Sequence, residues 1–357
     1  MTIRVFIVDD SAVVRKVLTE SLTNVPGIEV IGAAQDPIFA LARMEKDWPD
    51  VITLDVEMPR MDGITFLKNI MSSRPTPVVM CSTLTEEGSR TSVQALSLGA
   101  IDVIAKPKSN LMAELPKASP ELISAIRTAA RANMAGTKPK PIAPIQKIAT
   151  KLSADVILSK GASRNGFKVG PMIAIGASTG GTQALESVLM ALPSNTLPIL
   201  IVQHMPEKFT YTFAKRLNDM CQMEVKEAEN NDSLLPGRVL IAPGGKHMIL
   251  HSTQFGASVQ VKDGPLVSRH KPSVDVLFRS VSKHAGSNAL GVIMTGMGDD
   301  GAKGLKEMHD IGANTVAQDE ATCVVYGMPK EAIKLGAVDN IMPLNRIPEM
   351  IAAHKRP

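Results

Sequence analysis

Aromatic side chains are scarce in this 357-residue chain. One tryptophan, two tyrosines and eight phenylalanines make up 3% of it, against 20 methionines. Single-stranded nucleic acid is held by stacking bases on aromatic faces, so the scarcity weighs against such a platform. Cysteine is nearly absent too. Cys81, Cys221 and Cys323 stand far apart with no metal-ligand spacing and read as reduced, partly buried thiols. Neither sign of charge dominates: 39 Lys and Arg against 35 Asp and Glu leave a net charge of +4, a mild preference for acidic partners. There is no clustered basic face and no helix-turn-helix pattern, so a DNA-binding output is not expected. The opening "MTIRVFIVDDS" is a short apolar run that ends in two carboxylates, neither a signal peptide nor a membrane span. A cytoplasmic protein, monomeric and not inserted in a membrane, is the expectation.

What is present is the alternation of an α/β protein. The composition, 44% hydrophobic and 21% charged, is that of a soluble globular chain, and the length suits two domains. Strand-like runs at "RVFIV", "EVIGA", "VITLD", "PVVMC" and "DVIAK" alternate with helix-like stretches such as "AVVRKVLTESL" and "DGITFLKNIM". Five such pairs predict a doubly wound parallel sheet covered on both faces. Between about Met134 and Val169 the character changes, and "AGTKPKPIAPIQK", rich in proline and lysine, suits an extended linker. A short helix is possible over Ile148 to Leu158. A second block resumes with "PMIAIGAS", "LPILIVQHM", "GRVLIAPGG" and "ALGVIMTGMG", again a mostly parallel α/β sheet, with "HMILHS" and "SVQVKDG" as an antiparallel addition. The division is residues 1–125, a linker over 126–167, and residues 168–357.

In open α/β sheets chemistry collects at the carboxyl ends of strands, beside the point where strand order reverses. In the first block those ends carry Asp9 and Asp10, Asp55, Ser82 and Thr83, and Lys106. Crowded carboxylates repel unless a hard divalent cation lies among them, and Mg²⁺ fits oxygen ligands of this kind. A nucleophilic carboxylate beside such an ion and a lysine can accept a phosphoryl group. Over about residues 1–125 this constellation resembles the receiver domain of bacterial response regulators. The resemblance implies that Asp55 is the phospho-acceptor and that Asp9, Asp10 and Asp55 hold Mg²⁺ with the backbone carbonyl of Glu57. It also implies that Lys106 contacts the phosphoryl group and that a sensor histidine kinase is the phosphodonor. Ser82, directly after the strand, is taken as the hydroxyl that senses phosphorylation; Thr83 is the alternative. Receivers are switches, so an output lies beyond the linker.

The stretch "IGASTGG" puts Ser178 among glycines between a strand-like and a helix-like run, matching the nucleophile-elbow pattern G-x-S-x-G. Taken alone it equally suits a phosphate-binding turn or a serine N-cap. Its company adds weight. "VQHMP" puts His204 after the next strand and "TGMGDDG" puts Asp299 and Asp300 after a later one, supplying a base for the alcohol and a carboxylate to orient the base.

Together with "IAPGGKHM" and "HKPSVDVLF", these stretches make residues 168–355 resemble the catalytic domain of the chemotaxis receptor methylesterases, the CheB family. The resemblance implies a phosphorylation-activated serine esterase that hydrolyses glutamyl methyl esters on chemotaxis receptors and deamidates receptor glutamines, giving sensory adaptation. Carried over by motif, Ser178 is the nucleophile, His204 the base and then acid, and Asp300 the orienting carboxylate, Asp299 being the variable position of G-M-G-x-D-G. Thr179 and Met297 border the site, with the Met297 N–H at the oxyanion hole. His247 is read as loop structure or site wall, His270 and Asp275 as an ordered loop and a helix start. Arg269 and Lys271 face an acidic substrate surface. No metal is expected for ester hydrolysis. A catalytically silent nucleotide- or protein-binding output domain is the rival; against it, "IGASTGG" lacks the third-glycine spacing of G-x-G-x-x-G and no Walker lysine follows.

Overall fold

The computed structural model describes residues 2–56, 58, 61–83, 86–106, 119–134, 151–160, 169–254 and 256–354. The chain divides into two compact units, Met1–Ile145 and Gln146–Pro357. In the first unit strands β1 (Ile3–Val8), β2 (Ile28–Ala34), β3 (Val51–Asp55), β4 (Val78–Thr83) and β5 (Asp102–Lys106) are parallel, in the order β2-β1-β3-β4-β5. Helices α1 (Ala12–Thr23), α2 (Pro37–Met44), α3 (Gly63–Ser73), α4 (Glu86–Ser97) and α5 (Ser119–Ala129) connect and cover them. A central strand flanked by helices is apolar on both sides, which is why "VITLD" is buried along its whole length. Short polar caps start three of these helices: Ser11, Asp36 and Asp62 accept from the backbone N–H groups of Val14, of Ile38 and Phe39, and of Thr65. Ser11 thereby pins the turn that carries Asp9 and Asp10.

The second unit holds a seven-stranded parallel sheet in the order β14-β13-β12-β6-β7-β9-β8. Its strands are β6 (Met172–Ala177), β7 (Ile199–Gln203), β8 (Glu224–Glu227), β9 (Arg238–Ile241), β12 (Ala289–Ile293), β13 (Asn314–Gln318) and β14 (Asn340–Met342). The expected antiparallel addition is a separate pair, β10 (His247–Thr253) with β11 (Gly256–Lys262). Helices α6 (Gly181–Met190), α7 (Phe209–Met220), α8 (Val274–His284), α9 (Ala302–Asp310), α10 (Met328–Lys334) and α11 (Ile347–Ala353) complete the unit. The apolar runs seen in the sequence are the buried strands β6, β7, β9 and β12. Strands β8 ("EVKE") and β14 ("NIM") lie at the two edges, where charge and shortness blunt pairing and erase the apolar signal. Strand order reverses at β6, whose neighbours are β7 on one side and β12 on the other. Loops far apart in sequence meet there.

Some described segments fall across the expected boundaries. Helix α5 runs past residue 125 to Ala129 because Leu122, Ala125, Ile126 and Ala129 are all buried, continuing one apolar face. Residues 151–160, expected within the linker, pack within the second unit, and the described part of the stretch expected as a possible helix, residues 151–158, holds a single 3₁₀ turn at Ala154–Val156. Residues 135–150 and 161–168 lie outside the described residues. Among the described residues, no helix is long and apolar enough to cross a membrane.

The three cysteines are free thiols, Cys81 and Cys323 buried and Cys221 half-buried. Burial pushes the Cys81 and Cys323 thiols up to about 12 and Cys221 up to about 11. The thiolate is the reactive form, so at pH 8 all three stay protonated and unreactive. Iodoacetamide should leave Cys81 and Cys323 unmodified in the native protein and label both after denaturation; mass spectrometry of the two samples checks this.

Candidate active site

At the carboxyl edge of the first sheet, Asp9 follows β1 and Asp55 ends β3, the neighbouring strands at which the order reverses. The Lys106 ammonium lies 2.6 Å from Asp9 Oδ2 and 2.8 Å from Asp55 Oδ1. Burial would lower the Lys106 pKa, but the two carboxylates carry it above the usual lysine value, so it stays charged. Burial raises the Asp9 acid, and Lys106 offsets part of the rise. The N–H of Ser11 donates to Asp9 Oδ1, and Arg15 donates to the carbonyls of Asp9 and Asp10. Carboxylate oxygens of Asp9, Asp10 and Asp55 lie within 4.8 Å of one another, a set of hard donors that fits a divalent cation. Ser82 is buried and donates to the carbonyl of Gly88 in α4 at 3.2 Å. Thr83 closes β4 opposite Lys106, its side chain outside the described set. Glu57 also lies outside the described residues.

In the second unit Ser178 follows β6 on a turn that only small residues permit. Gly180 has φ of 77°, and a Cβ on it would stand 2.5 Å from Val324. Gly181 packs so closely that a Cβ would stand 2.1 Å from the Gln203 amide oxygen. Helix α6 is capped by Gly180 without a side-chain bond, so Ser178 is not its N-cap. Backbone bonds hold Ser178 from both neighbouring strands' loops: its N–H donates to Thr295 O at 3.0 Å, and its carbonyl accepts from Gln203 Nε2 at 2.9 Å. The same amide group donates to the His204 carbonyl at 3.1 Å, and His204 N–H donates to Ala177 O at 3.1 Å. The loops after β6 and β7 are thus locked side by side.

His204 Nε2 lies 2.8 Å from Asp300 Oδ2. Its Nδ1, on the other side of the ring, is buried and has no hydrogen-bond partner among the described residues. Asp300 is fully buried and accepts three further bonds, from Ser273 Oγ at 2.8 Å, Val274 N–H at 2.8 Å and Asp275 N–H at 3.1 Å. Burial alone would raise its pKa; the bond and charge of His204, with His270 and the Val274 N–H, outweigh that and hold it below the usual carboxylate range. Asp299, in contrast, is exposed and pairs with Lys151.

Thr179 is buried, and its carbonyl accepts from Thr295 Oγ1 at 2.9 Å. Met297 is half-buried, next to Gly296, where a Cβ would stand 2.7 Å from Ser178 Cβ. The β12 loop therefore runs against the serine. His247 is buried, donating from Nε2 to Pro265 O at 2.9 Å and accepting from the Ser273 N–H at 3.3 Å, which makes it loop structure. Asp275 accepts from the N–H groups of Gly301 and Gly304 and from Ser268 Oγ, tying the start of α8 to the start of α9. Arg269 is exposed, whereas Lys271 is engaged with Asp263.

His270 is the residue whose place the sequence did not reveal. Its ring stacks on His204 with centroids 3.7 Å apart and planes 4° from parallel, and its Nδ1 donates to Ser268 O at 2.9 Å. Burial, then the neighbouring His204, push its pKa down to about 3, so it is neutral in the working range. Nitrogens of both rings and an Asp300 oxygen lie within 4.8 Å of one another. Stacked parallel rings aim their lone pairs along parallel planes and not at one point, an arrangement suited to packing rather than to metal chelation. Gln203 and Ser273 likewise carry no local signal of their role, although both lie inside "VQHMP" and "HKPSVDVLF".

Known proteins share this arrangement in both units. Residues 5–116 match the response regulator receiver domain model, and residues 173–351 match the CheB methylesterase model. A protein-glutamate methylesterase/protein-glutamine glutaminase of Chromobacterium violaceum is 61% identical over 98% of this chain and 99% of its own. One of Pseudomonas savastanoi is 60% identical over 98% of each chain. The solved catalytic domain of the Thermotoga maritima CheB methylesterase is 38% identical, covers 51% of this chain and 97% of its own, and superposes with a TM-score of 0.50. With a receiver ahead of a serine-bearing α/β unit matched along nearly the whole length, the chain belongs to the CheB methylesterase family.

Proposed function

We propose that the chain is a phosphorylation-activated serine esterase of the cytoplasm that hydrolyses glutamyl methyl esters on chemotaxis receptors and deamidates receptor glutamines, providing sensory adaptation. The observation that carries the reading is the buried Asp300 carboxylate on His204 Nε2, with the Ser178 turn locked to the His204 loop. Holding the proton on Nε2 leaves Nδ1 as the basic atom. His204 Nδ1 takes the Ser178 proton as the Ser178 oxygen forms a bond to the ester carbonyl carbon. The Met297 N–H stabilises the oxyanion, with Thr179 at the border. Collapse breaks the bond to methoxide, which leaves as methanol with the proton from His204. Water then gives its proton to His204 and attacks the acyl carbon; release of Ser178 restores a free glutamate. A primary amide passes through the same steps and releases ammonia.

In the first unit Asp55 accepts the phosphoryl group from a sensor histidine kinase. Asp9, Asp10 and Asp55, with the carbonyl of Glu57, would hold Mg²⁺, which offsets charge on the phosphoryl oxygens when bound. Lys106 contacts the same oxygens, and Ser82 exchanges its bond to Gly88 O for one to the phosphoryl group. The test is release of labelled methanol from methylated receptor membranes. Release is expected to rise with a small-molecule phosphodonor, and Asp55→Asn should abolish that rise. No release from the wild type rejects the esterase reading; release indifferent to phosphodonor rejects the switch.

His270 supports His204 by packing. The stack is worth about 2- to 10-fold, from about 0.5–1.5 kcal/mol for a ring pair. His270→Ala should lower the rate by about that factor, whereas His270→Phe, which keeps a flat ring, should retain most of it. Because His270 stays neutral above about pH 3, His270→Phe should leave the shape of the pH–rate profile between pH 5 and 9 unchanged. A lost or shifted limb would give His270 a titrating role.

A further inference from the structure

Residues 151–160 precede the catalytic sheet in sequence, yet they fasten the loop that packs against His204 and Asp300. The Leu152 carbonyl accepts from the Ser268 N–H at 2.9 Å. Ser268 and Arg269 have φ of 50° and 71°, a left-handed conformation that residues other than glycine adopt only when held there. Leu152 and Asp275 grip Ser268 from two sides, one at its N–H and the other at its hydroxyl. The residues that follow put His270 on His204, and Ser273, Val274 and Asp275 on the Asp300 carboxylate.

The segment is anchored firmly enough to transmit this grip. Arg279, buried, donates to Asp155 Oδ1 at 2.8 Å and to Leu158 O at 3.0 Å while its other nitrogens bond Glu307 at 2.8 and 2.6 Å. Lys283 donates to Ser159 O at 2.9 Å, and Lys151 pairs with Asp299, the neighbour of Asp300. Ala154, Ile157 and Leu158 form a small apolar cluster with Ile249, Val267 and Val276. Gly264 admits Ile157, since a Cβ there would stand 2.4 Å from Ile157 Cδ1.

We propose that residues 151–160 are a positioning strap for ester hydrolysis: seated, they hold the 263–275 loop so that His204 and Asp300 keep their working geometry. This rests on the assignment of Ser178, His204 and Asp300 as the reacting groups. The strap acts through the loop, so its loss falls on the chemical step more than on substrate binding.

Two full-chain variants test it, Asp155→Ala with Ile157→Ala, and a replacement of residues 151–160 by a Gly/Ser segment of equal length. Methanol release from methylated receptor membranes should show kcat lower by about 10- to 100-fold, the range for small misplacement of catalytic groups, with KM changed less than about threefold. Phosphorylation of Asp55 should be unchanged in both. A synthetic peptide of residues 151–160 should restore rate to the replaced chain, and Ile157→Val should behave as wild type. If the replaced chain does not unfold cooperatively on heating, the double variant decides. Unchanged kcat in a folded variant, a loss confined to KM, or no rescue by the peptide overturns the strap. Failure of the site assignment looks different: Ser178→Ala, run alongside, would then release methanol.

Discussion

Ser178→Ala is expected to abolish methanol release while the chain folds and Asp55 still accepts phosphate. The turn does not depend on the hydroxyl. Its conformation rests on Gly180 and Gly181 and on bonds of the Ser178 backbone to Thr295 O and to the Gln203 side-chain amide, none of which the substitution touches. What disappears is the covalent route. In serine hydrolases loss of the nucleophile costs on the order of 10⁶ in kcat, roughly 8 kcal/mol of barrier, leaving only what the oxyanion site and binding supply. Receptor methanol release and phosphate incorporation, measured on one preparation, separate the two units. Methanol release at the wild-type rate would remove Ser178 from the chemistry.

The adjacent aspartates should then part company. Asp300→Asn is expected to lower the rate by a factor on the order of 10² to 10⁴. The Asp300 carboxylate accepts four bonds, from Ser273 Oγ, two backbone N–H groups and His204. An amide of the same shape has one accepting oxygen and a donor –NH₂, which faces the Asp275 N–H in one orientation and both the Val274 N–H and the imidazole in the other. Facing the imidazole, it forces the proton onto Nδ1, the atom that must accept from Ser178. Asp299→Asn should cost no more than about fivefold, since its exposed pair with Lys151 is worth less than about 1 kcal/mol. Steady-state kinetics on both variants decide, and the reverse pattern would show that the motif had been read one residue out.

One alternative that the sequence left standing, the serine N-cap, was closed by backbone geometry. Ser178 as an N-cap was a fair reading of "GASTGG", because cap and elbow both ask for a hydroxyl before a helix. The cap is Gly180, in a left-handed conformation, with Ser178 two residues earlier. His270 resisted in the other direction. A histidine in "SRHKP" carries no periodicity or spacing that distinguishes a loop residue from one stacked on the base; its place depends on Ser268 and Arg269 turning left-handed and on Leu152 bracing that turn. Residues 151–160, expected within the linker, have too few apolar positions to announce a fold. They pack only because Arg279 and a small apolar cluster wait for them.

The sequence by itself determined the two α/β units, the strand-end carboxylates and lysine of the first, and the three candidate reacting residues of the second. Each rests on local signals: apolar runs long enough to be buried strands, glycines where the chain must turn sharply, and polar residues placed directly after strands. Tertiary structure alone decided how those residues are held. Strand order brings the ends of β12, β6 and β7 side by side, although Ser178, His204 and Asp300 are spread over more than a hundred residues. The four bonds on Asp300, the His204–His270 stack and the grip of residues 151–160 join groups remote in sequence, each contact depending on where several other elements have already packed. No local pattern encodes such contacts, because their energy exists only once the sheet and its loops have assembled.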